Sequence, residues 1–225
     1  MSSNPSDSPA DAAPLGSPET DTEASAPTRK RPRPGERRVQ ILQALATMLE
    51  QPGAERITTA ALAARLDVSE AALYRHFASK AQMFEGLIEF IEQSVFGLVN
   101  QLGDREPDPR LRARKLVALL LQFGEKNPGM TRVMVGDALV FENERLQQRM
   151  NLFFDKIESA LRQNLREAAV LTNAATPTVD AAADASAITA FCVGRLQRFA
   201  RSGFKRSPGE NLDHCLALLL PGGRL

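Results

Sequence analysis

Between Phe84 and Leu102 the apolar residues fall into one stripe at helical spacing: Phe84, Leu87, Ile88, Ile91, Val95, Leu98, Val99 and Leu102. A half-buried strand needs alternation of period two, which this stretch lacks. A stripe of that length commits the chain to a long helix with one side packed against other helices. Ser79-Lys80-Ala81-Gln82 reads as a Ser-x-x-Gln capping box at its start, and Gly103 lies near its end.

The flanking segments keep the same period. A first helix is expected from about Glu36 to Glu50, with Ile41, Leu42, Leu45, Met48 and Leu49 inward and Pro52-Gly53 ending it. Thr58 or Thr59 caps a second helix that carries Leu62 and Leu66 inward, and Asp67-Val68-Ser69 makes a tight turn. Ser69 caps a third, short helix running through His76. Pro107 and Pro109 introduce a fifth helix to about Asn127, apolar all round from Leu116 to Leu121. Further helices are expected at about 130–140, 142–170, 180–204 and 210–220. The expected fold is all-α, with nine helices, no strands and no internal repeat.

Composition narrows the class. Apolar content of 43% and charged content of 24% are ordinary for a globular chain. No apolar run reaches the roughly 18–20 residues of a membrane span, and no signal-peptide core is present, so a cytoplasmic protein without membrane contact is expected. Cys192 and Cys215 sit in apolar helical patterns and read as buried small hydrophobes. With His76 and His214 the only histidines, no metal cluster, phosphate loop or His-based triad is available. Neither a metal, a cofactor nor an enzymatic activity is expected.

Charge is unevenly placed. Residues 1–28 carry five acids (Asp7, Asp11, Glu19, Asp21, Glu23) and no base, while residues 29–80 carry ten Lys/Arg against five Asp/Glu. The acidic segment, rich in Ser, Pro, Ala and Thr, is expected to be disordered. A basic arm follows, Arg29-Lys30-Arg31-Pro32-Arg33-Pro34. Residues 1–34 are therefore read as tail and arm, 35–79 as a helix-turn-helix domain, and 80–225 as a larger helical domain. Positive charge sits where a nucleic-acid contact needs it.

The stretch Ile57-Thr58-Thr59-Ala60-Ala61-Leu62-Ala63-Ala64-Arg65-Leu66-Asp67-Val68-Ser69-Glu70-Ala71-Ala72-Leu73-Tyr74-Arg75-His76-Phe77-Ala78-Ser79-Lys80 resembles the DNA-binding signature of the TetR family. Ala71 and Ala72 keep the third helix slim enough for a major groove and can meet thymine methyls. Ser69, Glu70 and Arg75 are placed for base edges or phosphates. Tyr74, His76 and Lys80 read as backbone clamps, Lys80 at a helix N-terminus. Thr58 and Thr59 offer hydroxyls to phosphate, and Arg31 and Arg33 offer an arm to phosphate or groove. Bland alternatives stay open: Thr58 as a cap alone, Tyr74 as packing, His76 beneath the helix. Many family members carry Gly where this chain has Asp67, a turn position favouring positive φ that Asp tolerates.

Beyond that signature, three segments resemble the nucleoid-occlusion branch of the family, the SlmA-like proteins. They are Met83-Phe84-Glu85-Gly86-Leu87-Ile88-Glu89-Phe90-Ile91-Glu92, Phe123-Gly124-Glu125-Lys126-Asn127-Pro128-Gly129-Met130-Thr131-Arg132, and Gly136-Asp137-Ala138-Leu139-Val140-Phe141-Glu142 with Arg145-Leu146-Gln147-Gln148-Arg149. The likeness runs from about residue 36 to Phe204-Lys205. It implies a DNA-binding homodimer, one or several per near-palindromic site, that associates with the nucleoid. On DNA, such proteins antagonise polymers of the division protein FtsZ, whose C-terminal tail docks between the fourth and fifth helices. On this chain the resemblance places that contact at Phe90, Leu119, Lys126 and Asn127, with Leu98 where a relative carries arginine.

The residues allow it and also allow plainer roles. Phe90 lies about 120° off the apolar stripe, with Met83 and Gly97 on its flank. Arg112, Lys115, Leu119, Gln122 and Lys126 repeat at three and four residues and so share a face suited to an acidic, apolar peptide. Phe90 could equally pack on a helix, Leu119 could be core, and Lys126 and Asn127 could be a helix end. Ile188, Phe191, Cys192 and Phe199 mark one face of the eighth helix, and Leu212, Leu216, Leu219 and Leu220 one face of the ninth. The resemblance implies that two subunits pair these faces in a four-helix bundle. The rival reading is a repressor released by a small effector bound in the second domain.

Overall fold

The computed structural model describes residues 35–51 and 57–220. Segment 1–34, with Arg31 and Arg33, therefore lies outside the described residues, as do the expected helix stop at Pro52-Gly53 and residues 221–225. Nine α-helices and no strand occur among the described residues. They are α1 (Glu36–Leu49), α2 (Thr59–Arg65), α3 (Glu70–Tyr74), α4 (Lys80–Arg105), α5 (Pro109–Lys126), α6 (Pro128–Met134), α7 (Glu144–Leu171), α8 (Pro177–Arg201) and α9 (Leu212–Leu219).

The helix starts are set by short side chains that accept otherwise orphaned N–H groups. Thr58 Oγ1 accepts from Ala61 N at 3.1 Å, Ser69 Oγ from Ala72 N at 3.2 Å, and Ser79 Oγ from Gln82 N at 3.2 Å. Gln82 Oε1 in turn accepts the Ala78 N–H at 2.8 Å, one residue before the cap itself. Asp108 caps α5, its Oδ1 accepting from Arg110 N at 2.8 Å, and Asn143 caps α7. Asp67 holds the α2–α3 turn at φ 53°, the left-handed conformation expected there.

Two elements differ from the sequence reading. The helix expected over 130–140 is α6, which stops at Met134, followed by a separate 3-10 turn Asp137–Leu139. Gly136 breaks the run at φ 85°, and a Cβ there would meet Gln147 Oε1 at 2.7 Å. α3 ends at Tyr74 rather than His76, although Phe77 N still bonds back to Leu73 O at 3.1 Å.

One apolar core runs through all of this, from Ile41 to Leu216. Leu62, Leu73 and Phe77 are buried beneath the recognition unit, each about 1% exposed. In the body, α8 packs chiefly along α7, and α5 lies against α4, α7 and α8. Leu116, Val117, Leu120 and Leu121 on α5 are buried, while Ala118 and Leu119 between them are half-buried, so the apolar run is covered on several sides but not all round. Phe153 of α7 sits 5.3 Å from Phe96 of α4 and 5.2 Å from Phe154, in tilted and edge contacts that stabilise aromatic pairs.

α6 joins the recognition unit to the body. Gly129 approaches α1 so closely that an added Cβ would lie 2.1 Å from the Ala46 carbonyl oxygen. Only glycine allows that approach of backbone to backbone. A second tie runs along α4. Lys80 pairs with Glu142 at 2.5 Å, Glu85 with Arg145, and Glu92 with Arg149 at 2.6 Å, so the first half of α4 is seamed to the start of α7.

Candidate functional site

The first candidate surface is the α2–α3 unit. Ser69, Glu70, Ala71, Tyr74, Arg75 and His76 are exposed, and Ala72 is half-buried. Tyr74 is 45% exposed, so its ring is not absorbed by packing. Several polar groups are nonetheless occupied. Thr59 Oγ1 donates to Glu70 Oε2 at 2.5 Å, a brace between α2 and α3, so both residues meet each other. Thr58 and Ser69 serve as caps while their side chains stay at the surface. Lys80 is paired with Glu142 and lies 5.7 Å over the Phe84 ring, so its ammonium is already engaged. Sequence reasoning missed Arg38. Its guanidinium lies 4.1 Å over Phe77 and donates to the His76 carbonyl at 3.0 Å, tying α1 to the end of α3. Nothing in the spacing of α1 signals that contact, which depends on how α1 crosses α3.

A second surface lies between α4 and α5. Leu98 from α4 and Lys115, Ala118, Leu119, Gln122, Phe123, Lys126 and Asn127 from α5 and its end line an open cleft of about 460 Å³. Thus Leu119, Lys126 and Asn127 come together, with Leu98 facing them. Lys115, Leu119, Gln122 and Lys126 share the expected face. Arg112 does not join them, because it pairs with Glu167 of α7. Asn127 donates from Nδ2 to the Phe123 carbonyl at 2.8 Å and so also stops the helix. Lys126 is exposed and no described acid pairs with it.

Phe90 stands apart from that lining. It is 46% exposed, so the core does not claim it, and Leu98 follows two helical turns later, about 12 Å along α4. Gly97 shares its open flank, with nothing within 4 Å of a built Cβ. Met83 does not, being 1% exposed in the core. Its register places it seven residues from Phe90, but it belongs to the core that α4 shares with its neighbours, α1 and α6 among them.

A third surface is the outer side of α8 and α9. Ile188, Cys192 and Phe199 prove to be buried inside the protomer, as does Leu216. What α8 leaves open is a different line, exposed Ala183, Ala187 and Ala190 with half-buried Gly194, and on α9 Leu218 is exposed. Burial pushes the Cys192 thiol up to about 12, so it stays protonated. No group of three or more His, Cys, Asp or Glu among the described residues could hold a metal ion.

Comparison with known proteins accounts for both halves. A model described as "Bacterial regulatory proteins, tetR family" matches residues 41–87, and one described as "Tetracyclin repressor-like, C-terminal domain", SlmA-like, matches residues 108–221. The nucleoid occlusion factor SlmA of Photobacterium profundum is 53% identical over 184 residues, covering 81% of this chain and 93% of that protein. The SlmA of Vibrio cholerae matches equally well, at 53% over 184 residues, and that of Aliivibrio fischeri is 52% identical over 193 residues, covering 84% and 96%. Among solved structures, the fatty acid degradation regulator FadR from Bacillus halodurans superposes with a TM-score of 0.67 at 17% identity, covering 87% of this chain and 99% of that one. The TetR-family regulator PfmR from Thermus thermophilus gives 0.66 at 22%, covering 81% and 98%. The latter two establish the fold, and the identity to the former three goes further: the chain belongs to the SlmA family of nucleoid occlusion factors, within the TetR-type DNA-binding regulators.

Proposed function

We propose that this chain acts as a nucleoid occlusion factor. As a dimer on near-palindromic chromosomal sites it antagonises FtsZ polymers, and so blocks division over unsegregated DNA. The α2–α3 unit meets the duplex through Ser69, Glu70, Ala71, Ala72 and Arg75 in the groove. Thr58, Thr59, Tyr74, His76 and Lys80 hold phosphates, and the arm with Arg31 and Arg33 adds further charge. Three of these assignments carry a requirement. Lys80 must leave Glu142, and Thr59 and Glu70 must share or release their hydrogen bond, before DNA receives them.

The observation that carries the reading is the α4–α5 cleft. Two lysines flank an apolar floor of Leu98 and Leu119, which fits a short peptide with acidic and apolar residues. Phe90 offers an additional apolar contact further along α4. Because α4 bears the recognition unit at its start and Leu98 about 27 Å later, one rigid element links DNA to the cleft. Coupling demands that the tail bind the DNA-held state differently, or that an array on DNA raise local concentration. The open line of α8 with Leu218 suits close pairing of two subunits, which sets the recognition helices about one DNA turn apart.

The effector-released repressor finds less support. At the centre of the body Phe153, Ile157, Leu161, Leu116 and Ile188 are each 1% exposed or less, and the space that remains between α4, α5 and α7 is a cleft of about 390 Å³ toward the end of α4, lined largely by polar residues such as Asn100, Asp104, Arg112 and Asn164. The test is fluorescence anisotropy of a labelled FtsZ C-terminal tail peptide titrated with the protein, with and without specific DNA. Saturable binding that weakens in Phe90→Ala and Lys126→Ala is expected. Absence of binding in both conditions would refute the reading.

A further inference from the structure

The two lysines of the cleft are not equivalent. Lys126 has no acid partner among the described residues, whereas Lys115 donates from Nζ to Glu106 Oε2 at 2.5 Å. Glu106 ends α4 and is held from its other side, where Oε1 accepts the Asp108 N–H at 3.2 Å. Its side chain is only 13% exposed, while that of Lys115 is 48% exposed and lines the cleft. A fixed carboxylate thus sits behind the ammonium that an acidic ligand must reach.

We propose that Glu106 is a built-in competitor for Lys115, a specificity-determining residue that lowers the affinity of the α4–α5 cleft for acidic peptides. The proposal rests on the reading of that cleft as a peptide site. An incoming carboxylate either displaces Glu106 from Lys115 or shares the lysine with it, and in both cases like charges come close. Lys126 then supplies the uncontested charge, and Lys115 rewards only a peptide whose carboxylate reaches past Glu106. Acidification does not lift the competition first. The hydrogen bond from Lys115, with that from the Asp108 N–H, holds the Glu106 carboxyl below the usual range, so ordinary carboxylates on a peptide protonate before it.

The test uses the full chain and the labelled FtsZ tail peptide, with Glu106→Gln, Lys115→Ala, the double variant, and Lys126→Ala as reference. Glutamine keeps an acceptor for the Asp108 N–H and replaces the oxygen facing Lys115 with an NH2 that cannot accept from it, so the charge and the hydrogen bond to Lys115 are removed together. Glu106→Gln is expected to tighten binding on the order of two- to five-fold at low salt, the range of a partly exposed ion pair. The gain should shrink as salt rises and vanish in the Lys115→Ala background. A peptide with its acids replaced by amides should not distinguish Glu106→Gln from the unmodified protein. Unchanged or weaker binding in Glu106→Gln, with Lys126→Ala still weakening it, would overturn the proposal and leave the peptide site standing. Failure of the unmodified protein to bind the peptide at all would remove both.

Discussion

The recognition unit and the α4–α5 cleft are built by opposite means. In the recognition unit, residues close in sequence fix one another: Thr58 and Ser69 cap their own helices, Thr59 braces Glu70, and Asp67 supplies the turn. Its shape is set by these local hydrogen bonds, and part of its polar surface is already engaged. The cleft has no such local closure. Leu98 and Leu119 come from different helices, and only packing of α4 and α5 over a common core brings them together. Local hydrogen bonding thus shapes one surface and the global core the other, so damage should spread differently from each.

Core loss should separate the two most sharply. Phe153→Ala removes a fully buried ring from the α4–α7 contact and should cost about 3–5 kcal/mol in denaturant unfolding, loosening the cleft before the α2–α3 unit. Hydrogen exchange that opened α2 and α3 first would break the comparison. Next comes Gly129→Ala, which forces α6 off the Ala46 carbonyl and should cost about 1–3 kcal/mol as an overpacked contact. It should weaken DNA binding more than peptide binding, as read by parallel anisotropy titrations. Thr58→Ala removes one cap and should cost about 1 kcal/mol, lowering DNA affinity while the dimer persists in light scattering. Lys126→Ala should leave stability within about 0.5 kcal/mol, since the side chain is exposed and has no acid partner among the described residues, yet weaken binding of the acidic peptide. The smallest effect concerns thiols. Cys192, buried and protonated, should resist maleimide at neutral pH in the native protein and label only on unfolding, as mass spectrometry would count.

The same contrast explains what could be read from sequence. Caps, the Asp67 turn and the apolar stripe of α4 are short-range signals, and the helices they predict are present, although α3 stops at Tyr74 and Leu98 of the stripe is 44% exposed. Leu119, Lys126 and Asn127 converge because 3,4 spacing on α5 is also a local property. What failed was decided across helices. Arg112 shares that spacing but is drawn to Glu167, and Met83 shares a flank with Phe90 but is covered by neighbouring helices. Ile188, Cys192 and Phe199 look like a free face until α7 and its neighbours claim them, leaving the small residues to the outside. The arm residues Arg31 and Arg33 fall outside the described structure.

The contact between Gly129 and Ala46 has a metrical consequence. Side chains at a joint act as cushions that can change rotamer and let two parts tilt. Here backbone meets backbone, and the joint has no cushion. A dimer built on two such joints carries its recognition helices like the fixed points of a caliper. On the proposed reading, inserting one base pair between half-sites would move them about 3.4 Å further apart and rotate one about the helix axis, and this joint would give little slack to follow. For a dimer on paired half-sites, the strain would then fall on the DNA, and flexible pyrimidine–purine steps between them would become part of what the protein selects.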